Sequence, residues 1–178
     1  MKVEETVTLL SRKSYSQRPW ARSPCQPLLS TLSRMTHLPP MFGASQEGNA
    51  RPSGQHQLRV LIAEDDRDSA ASLAALVQAE GHATRCVYRG YGVVGAASDF
   101  GSDVVLLDIG MPGINGYDIA RVFRKTYGSA KPVLIAVTAW NRYPDKLMAK
   151  AAGFDHHFGK PYNPNELLKI LREIAARV

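Results

Sequence analysis

The chain has 178 residues, of which 44% are apolar, and its formal net charge is +6. This length and composition predict one domain with a sizeable core and spare length for a tail. The charge could suggest a nucleic-acid partner, but residues 1–57 hold seven Lys/Arg against three Asp/Glu, so most of the excess lies outside the expected domain. No apolar run reaches the ~18 residues that cross a membrane, which argues against membrane insertion.

Residues 1–57 are rich in Ser, Pro, Arg, Gln and Gly and show no sustained hydrophobic period. This composition predicts a disordered basic extension ahead of a folded domain at 58–178. The extension superficially resembles an organelle transit peptide. A mis-assigned start, with translation beginning at Met35 or Met41, explains it better.

The two cysteines are Cys25, in a Pro/Ser-rich stretch, and Cys86, in an expected strand. This pair indicates neither a disulfide framework nor a metal-binding spacing. A reducing, cytoplasmic location therefore fits best.

From Leu58 the chain alternates between apolar runs and helical patterns. Leu58–Ala63 predicts a buried strand, and apolar residues then recur at helical spacing until Gly81, which favours a helix end. His82–Tyr88 predicts a weaker strand, and Tyr91–Phe100 predicts a short helix. These segments give two strand–helix units.

The third and fourth units follow the same pattern. Asp103–Leu107 predicts a buried strand, and a helix with Ile119 and Phe123 on its apolar face comes after it. Pro132–Val137 predicts the fourth strand, and Tyr143–Ala152 predicts the helix that follows.

The fifth unit begins with a short strand at Asp155–Phe158. A last helix is expected to start at Asn163 as cap, with Pro164 in the first position and Glu166 placed for a capping box. Five alternating units predict an α/β domain with a five-stranded parallel sheet and helices on both faces. The expected fold is therefore a doubly wound, flavodoxin-like (βα)5 domain.

Polar residues stand at the ends of these expected strands. Glu64 and Asp65 follow the first strand, and Asp108 follows the third. Thr138 ends the fourth strand, and Lys160 comes soon after the fifth. Ligands of open parallel sheets bind beyond the carboxyl ends of the strands, so we expect these side chains to share one crevice.

Such a crevice suits phosphoryl chemistry. Carboxylates at close quarters repel each other, and a Mg²⁺ ion relieves that repulsion. A carboxylate of Asp108 beside Mg²⁺ and the Lys160 ammonium can attack phosphorus as a nucleophile. Mg²⁺, Lys160 and the Thr138 hydroxyl can each meet one oxygen of the phosphoryl group in transfer. The product would be an acyl phosphate.

Residues from about Leu58 to Val178 resemble a response-regulator receiver domain of two-component signalling. The matching motifs are Glu64-Asp65, Asp108-Ile109-Gly110-Met111-Pro112-Gly113-Ile114-Asn115-Gly116, Thr138-Ala139 and Lys160-Pro161. The separations also fit, with 43 residues from Asp65 to Asp108, 30 from there to Thr138 and 52 from Asp108 to Lys160. Four motifs in this order are much more specific than any one of them.

The resemblance implies the ligands of a Mg²⁺ cofactor. Asp65, Asp108 and the backbone carbonyl of Gly110 would bind the ion, and Glu64 would act through water. Glu64 stands where Asp is also common in the family, and its longer side chain would alter the affinity for Mg²⁺.

The resemblance also implies the catalytic and switch residues. Asp108 would be the phosphoacceptor, and Lys160 would be the cation beside it. Thr138 would be the switch hydroxyl that moves toward the phosphoryl group. The switch aromatic of the family falls at His157, which is a departure that concerns the form of the switch more than phosphorylation. His156 and His157 do not predict a metal site, because adjacent strand residues point to opposite faces.

The implied phosphoryl donor is a histidine kinase or a histidine phosphotransfer protein. Because the sequence ends after the last helix, output is expected through protein–protein contacts or onward phosphotransfer, without direct contact to nucleic acid. Trp140 is expected either to contact a partner or to cover a loop.

Two alternatives remain beside this hypothesis. One is an interaction module with the receiver fold that no longer takes phosphate. The other is a phosphatase resembling the haloacid dehalogenase group, which needs a second Asp where this chain has Gly110. We therefore expect a phosphoacceptor switch rather than a turnover enzyme.

Overall fold

A computed structural model describes residues 56–129 and 131–178. Its strands are β1 (Arg59–Ala63), β2 (Ala83–Val87), β3 (Val104–Leu107), β4 (Val133–Thr138) and β5 (His156–Gly159). Its helices are α1 (Arg67–Ala79), α2 (Val93–Phe100), α3 (Gly116–Tyr127), α4 (Tyr143–Ala152) and α5 (Pro164–Ala175). The strands form one parallel sheet in the order β2-β1-β3-β4-β5, which confirms the predicted fold class.

Helices cover both faces of this sheet, and each face buries its own core. Successive strand residues point to opposite faces. In β1, Leu61 packs with α2 and α3, while Val60 and Ile62 pack with α1 and α5. The strands therefore need apolar residues on both sides, which explains their continuous apolar runs.

Two local features differ from the prediction. The helix expected from Tyr91 begins at Val93, because Gly90–Gly92 form a short 3-10 turn ahead of it. In place of the capping box expected at Glu166, the helix has a simpler cap, in which Asn163 Oδ1 accepts a hydrogen bond from the Asn165 amide.

The predicted extension, residues 1–57, lies outside the described residues except for its last two. The boundary between extension and domain therefore stays a prediction. None of the helices in the described part of the chain combines the length and apolar character needed to span a membrane.

Candidate functional site at the carboxyl edge of the sheet

The register of the strands brings the predicted polar residues to one edge of the sheet. Ala63 pairs with Leu107, so Glu64 and Asp108 leave neighbouring strands side by side. The Asp108 amide donates to the carbonyl of Ala63 at 2.9 Å. On the other side of β3, the Lys160 amide donates to the carbonyl of Thr138 at 2.7 Å. The backbone itself thus sets the positions of these side chains.

Lys160 lies between two carboxylates. Its Nζ donates to Glu64 Oε2 at 2.5 Å and to Asp108 Oδ2 at 2.8 Å. The other Asp108 oxygen, Oδ1, accepts from the Gly110 amide at 2.8 Å. Both oxygens of Asp108 are therefore held by donors, which fixes the orientation of a carboxylate that is mostly shielded from solvent.

The protonation equilibria of Glu64 and Lys160 reflect this shielding. Burial raises the pKa of Glu64, and the hydrogen bond and charge of Lys160 offset this only in part. Burial acts to lower the pKa of Lys160, but its hydrogen bonds to Asp108 and Glu64, with their negative charges, raise it overall. Lys160 is therefore an ammonium ion at neutral pH.

Three carboxylates meet at this edge. Glu64, Asp65 and Asp108 each offer an oxygen, and these oxygens lie within 4.8 Å of one another. Lys160 supplies one positive charge, so the cluster has an excess of negative charge. A hard divalent cation such as Mg²⁺ suits this donor set, because it prefers a few carboxylate oxygens together with water and phosphate.

Gly110 lies close enough to the cluster for its backbone to take part. A Cβ on Gly110 would lie 3.5 Å from Asp108 Oδ1. The role predicted for its carbonyl oxygen as a metal ligand stays a prediction.

Thr138 is fully buried at the end of β4. Its Oγ1 accepts a hydrogen bond from the Trp140 amide at 3.3 Å. The predicted switch hydroxyl is thus engaged by the loop that follows β4.

His157 lies on β5 opposite Ala136. Burial lowers the pKa of its imidazole, and the nearby backbone of Trp140 offsets this in part. Among the described residues, neither shielded ring nitrogen has a partner at normal hydrogen-bond geometry. The imidazole is therefore neutral at neutral pH.

A groove of about 590 Å³ opens beside this site. Ser69, Ser72 and Leu73 of α1 line one wall, and Lys160 and Tyr162 line the other. Tyr162 was not predicted from the sequence as part of this groove. It comes directly after the Lys160-Pro161 motif, and burial raises the pKa of its phenol. Its position directly after that motif was the available signal.

Fold and site together define a class: a doubly wound parallel α/β domain with a carboxylate–lysine cluster at its strand tips. The family model described as "Response regulator receiver domain" matches residues 60–172. The chain therefore belongs to the receiver-domain family of two-component response regulators.

Similar proteins agree with this assignment. The sensory transduction protein RegX3 of Mycobacterium tuberculosis is 35% identical over 118 residues, which are 66% of this chain and 51% of RegX3. This chain spans about half the length of the curated relatives it matches.

Solved structures show the same fold. The receiver domain of the Francisella response regulator 1452 is similar with a TM-score of 0.63 and 22% identity, covering 68% of this chain and 98% of that one. A second similar structure is the receiver domain of the sensor histidine kinase PA1611 from Pseudomonas aeruginosa, which has a magnesium ion coordinated in its active-site cleft. Its TM-score is 0.60 at 25% sequence identity, and the match covers 67% of this chain and 98% of that one.

Proposed function

We propose that this protein is a phosphorelay receiver that accepts a phosphoryl group from a phosphohistidine donor onto Asp108 in a Mg²⁺-dependent reaction. One observation carries the proposal. The Asp108 carboxylate is held by Lys160 Nζ and the Gly110 amide within a group of three converging carboxylates.

In the proposed transfer, an oxygen of Asp108 forms a bond to phosphorus while the bond from phosphorus to the donor imidazole nitrogen breaks. The imidazole leaves with the electron pair of that bond, and Asp108 becomes an acyl phosphate. Lys160 keeps its charge next to the reacting carboxylate and compensates the charge on the phosphoryl oxygens. The Thr138 hydroxyl leaves the Trp140 amide and donates to the phosphoryl group.

Asp65, Asp108 and the Gly110 carbonyl would hold Mg²⁺, with Glu64 acting through water. When bound, the ion supplies positive charge to the phosphoryl oxygens. The magnesium ion in the PA1611 receiver supports this assignment. So does the negative excess of the cluster, which a divalent cation would relieve.

The donor is expected to be a histidine kinase or a histidine phosphotransfer protein. The groove between α1 and the segment after β5 suits such a protein, because it adjoins Lys160 and combines apolar Leu73 and Leu76 with Ser69 and Ser72. Because phosphohistidine donors are made with ATP, a cytoplasmic location is part of this proposal.

Output is expected through contacts with another protein rather than nucleic acid. We define the output face as the exposed side chains of Trp140, Tyr143, Leu147 and Met148. The buried residues of α4 are only Ala149 and Ala152, so its large apolar side chains face outward. Exposed apolar side chains grouped in this way are typical of a protein–protein contact.

We also propose that the protein is a switch rather than a turnover enzyme. A phosphatase with an aspartyl nucleophile needs a second acid, and Gly110 offers only backbone groups at that position. The alternative of a receiver fold that takes no phosphate rests on the departure at His157, where the imidazole replaces the usual aromatic.

Incubation with acetyl phosphate and Mg²⁺, followed by intact-mass measurement, tests the proposal. Phosphoramidate provides a second donor, since its P–N bond stands in for phosphohistidine. We expect an acid-labile gain of one phosphate that disappears with EDTA and in Asp108→Ala. The control Asp118→Asn, which changes an exposed acid of α3, should gain phosphate normally.

Two results would count against the proposal. Wild type without any gain would favour the interaction module. A gain that survives Asp108→Ala would place the phosphate elsewhere.

A further inference from the structure

The loop between β4 and α4 packs onto β5 at Gly159. A Cβ added to Gly159 would overlap the Cβ, Cγ and Nδ2 atoms of Asn141. The Asn141 side chain therefore occupies the space that any larger residue at 159 would need. Gly159 lies within a regular strand, so space rather than backbone conformation requires the glycine.

This contact lies directly beside the switch threonine. Gly159 pairs with Thr138 in the register of β4 and β5, and paired residues of neighbouring strands share a face of the sheet. The Asn141 carboxamide, placed over Gly159, is therefore next to Thr138 on that face. Lys160 follows Gly159, and its amide donates to the Thr138 carbonyl at 2.7 Å.

The loop also contacts Thr138 itself. The Trp140 amide donates to Thr138 Oγ1 at 3.3 Å. Residues 140 and 141 thus hold the loop at two adjacent points, one at the Thr138 hydroxyl and one at Gly159. The indole of Trp140 adds a tilted contact to the Tyr117 ring, with centroids 6.2 Å apart.

His157 belongs to the same surface of the sheet. It lies two residues before Gly159 in β5 and therefore faces the same side. Its shielded ring nitrogens lie near the Trp140 backbone of this loop. A movement of the loop would therefore change the surroundings of Thr138 and His157 together.

We propose that Asn141 is a positioning residue, which by packing on Gly159 holds the β4–α4 loop in the arrangement where the Trp140 amide engages the Thr138 hydroxyl. This inference rests on the proposed function of Asp108. Thr138 is fully buried and its Oγ1 faces the Trp140 amide, so in the proposed function its side chain turns from that amide toward a phosphoryl group on Asp108. The Asn141–Gly159 contact therefore favours the unphosphorylated arrangement, and its removal favours the phosphorylated one.

Three variants test the contact: Asn141→Ala removes the carboxamide and leaves the Cβ, Gly159→Ala displaces the whole side chain, and the double variant combines the two changes. Beryllium trifluoride with Mg²⁺ serves as a phosphoryl mimic, and calorimetric titration measures its affinity. We expect each single variant to bind it about fivefold more tightly, a factor typical of such coupling. The double variant should match Gly159→Ala, because the Cβ at 159 already displaces the loop and the carboxamide then has no contact left to lose.

Two controls separate positioning from general damage. The affinity for Mg²⁺ alone should stay within about twofold of wild type, because the metal ligands are not part of the contact. Asn165→Ala changes another exposed asparagine, far along the chain in α5, and should leave both affinities unchanged.

Several results would overturn the inference. Wild-type or weaker beryllium trifluoride affinity in Asn141→Ala would do so, even if Gly159→Ala fails to fold. So would a double variant whose gain is the product of the two single gains. If wild type itself neither binds beryllium trifluoride nor gains phosphate, the proposed function fails as well. If wild type binds beryllium trifluoride and gains phosphate, but Asn141→Ala shows no gain in affinity, only the positioning role of Asn141 is contradicted.

Discussion

The amino end of the sheet and its carboxyl end both carry shielded carboxylates, but their charges are balanced differently. At the amino end, Asp103 accepts a hydrogen bond from the Arg59 amide at 2.9 Å. Its carboxylate oxygens also lie within 3.6 Å of the charged nitrogens of Arg59 and Lys131. Burial acts to raise the pKa of Asp103, but this hydrogen bond and the two positive charges lower it overall. This carboxylate is therefore stabilised as an ion.

A second acid at the amino end is equally well paired. Asp155 Oδ2 accepts from Arg124 at 2.6 Å and from the Leu134 amide at 2.7 Å. Arg124 also donates to the carbonyls of Gly153 at 2.7 Å and Pro132 at 3.1 Å. One guanidinium thus joins α3, the start of β4 and the approach to β5.

The carboxyl end has three carboxylates for one ammonium, and burial leaves the pKa of Glu64 raised. The balanced end therefore stabilises the fold, whereas the unbalanced end retains an excess of negative charge that a cation can neutralise. In the proposed function, Mg²⁺ neutralises that excess and the phosphoryl group then brings new negative charge to Lys160 and Thr138.

We expect the largest change in the rate of phosphorylation, and we expect it when Lys160, the cation at the carboxyl end, is removed. Lys160→Met should slow the gain of phosphate from phosphoramidate about a thousandfold, as loss of a donor to developing charge does. Time courses of intact mass measure the rate. The matched control Lys131→Met removes a lysine paired with a carboxylate at the other end and should react like wild type. Similar rates in both variants would show that the two lysines do not differ in their effect on phosphorylation.

The next largest effect is on stability, when the amino end loses its central cation. Arg124→Ala should lower the free energy of unfolding by about 2 kcal/mol, because a mostly shielded guanidinium is lost together with its hydrogen bonds to two carbonyls and its pair with Asp155. Urea titration measures the change. Arg121→Ala, whose pair with Asp118 is exposed, should cost less than about 1 kcal/mol. An equal cost in both would remove the special role of Arg124.

Magnesium should stabilise only through the unbalanced end. At ten times its dissociation constant, Mg²⁺ should raise the free energy of unfolding of wild type by roughly 1.4 kcal/mol. Asp65→Asn should lose this gain, because it removes a predicted ligand. Asp103→Asn should keep the gain, although it lowers stability without the ion. If Mg²⁺ stabilises Asp65→Asn as much as wild type, Asp65 is not a ligand of the ion.

The smallest expected effect concerns pH. Because the pKa of His157 is lowered in the folded protein, the imidazole contributes stability above its ordinary pKa of about 6.5, and this is lost as the pH falls. His157→Phe should therefore lose less stability than wild type between about pH 7.5 and pH 5.5. Urea titrations of both proteins at about pH 7.5 and pH 5.5 measure the loss in the free energy of unfolding. Parallel losses would show that His157 has no part in the pH dependence.

Much of the site followed from the sequence, because apolar runs mark strands and parallel strands end at a common edge. Glu64, Asp65, Asp108 and Lys160 were predicted to meet, and they do. A helix was also predicted at roughly Tyr143 to Ala152, and α4 lies there.

What the sequence could not supply is the choice of side-chain partners. Periodicity predicts a helix at α4, but it does not tell that small alanines face inward and that Leu147 and Met148 face solvent. The contact of Asn141 with Gly159 joins a loop to a strand, and no local pattern encodes it. The same holds for Arg124, whose partners lie up to 31 residues away.

Borohydride reduction can locate the phosphoryl group, since it converts an aspartyl phosphate to homoserine. Protein treated with phosphoramidate and Mg²⁺ is reduced, digested and sequenced by mass spectrometry. We expect homoserine at position 108 and nowhere else, and none when Mg²⁺ is withheld. Homoserine at Asp65 or another acid, or phosphate that resists reduction, would contradict it.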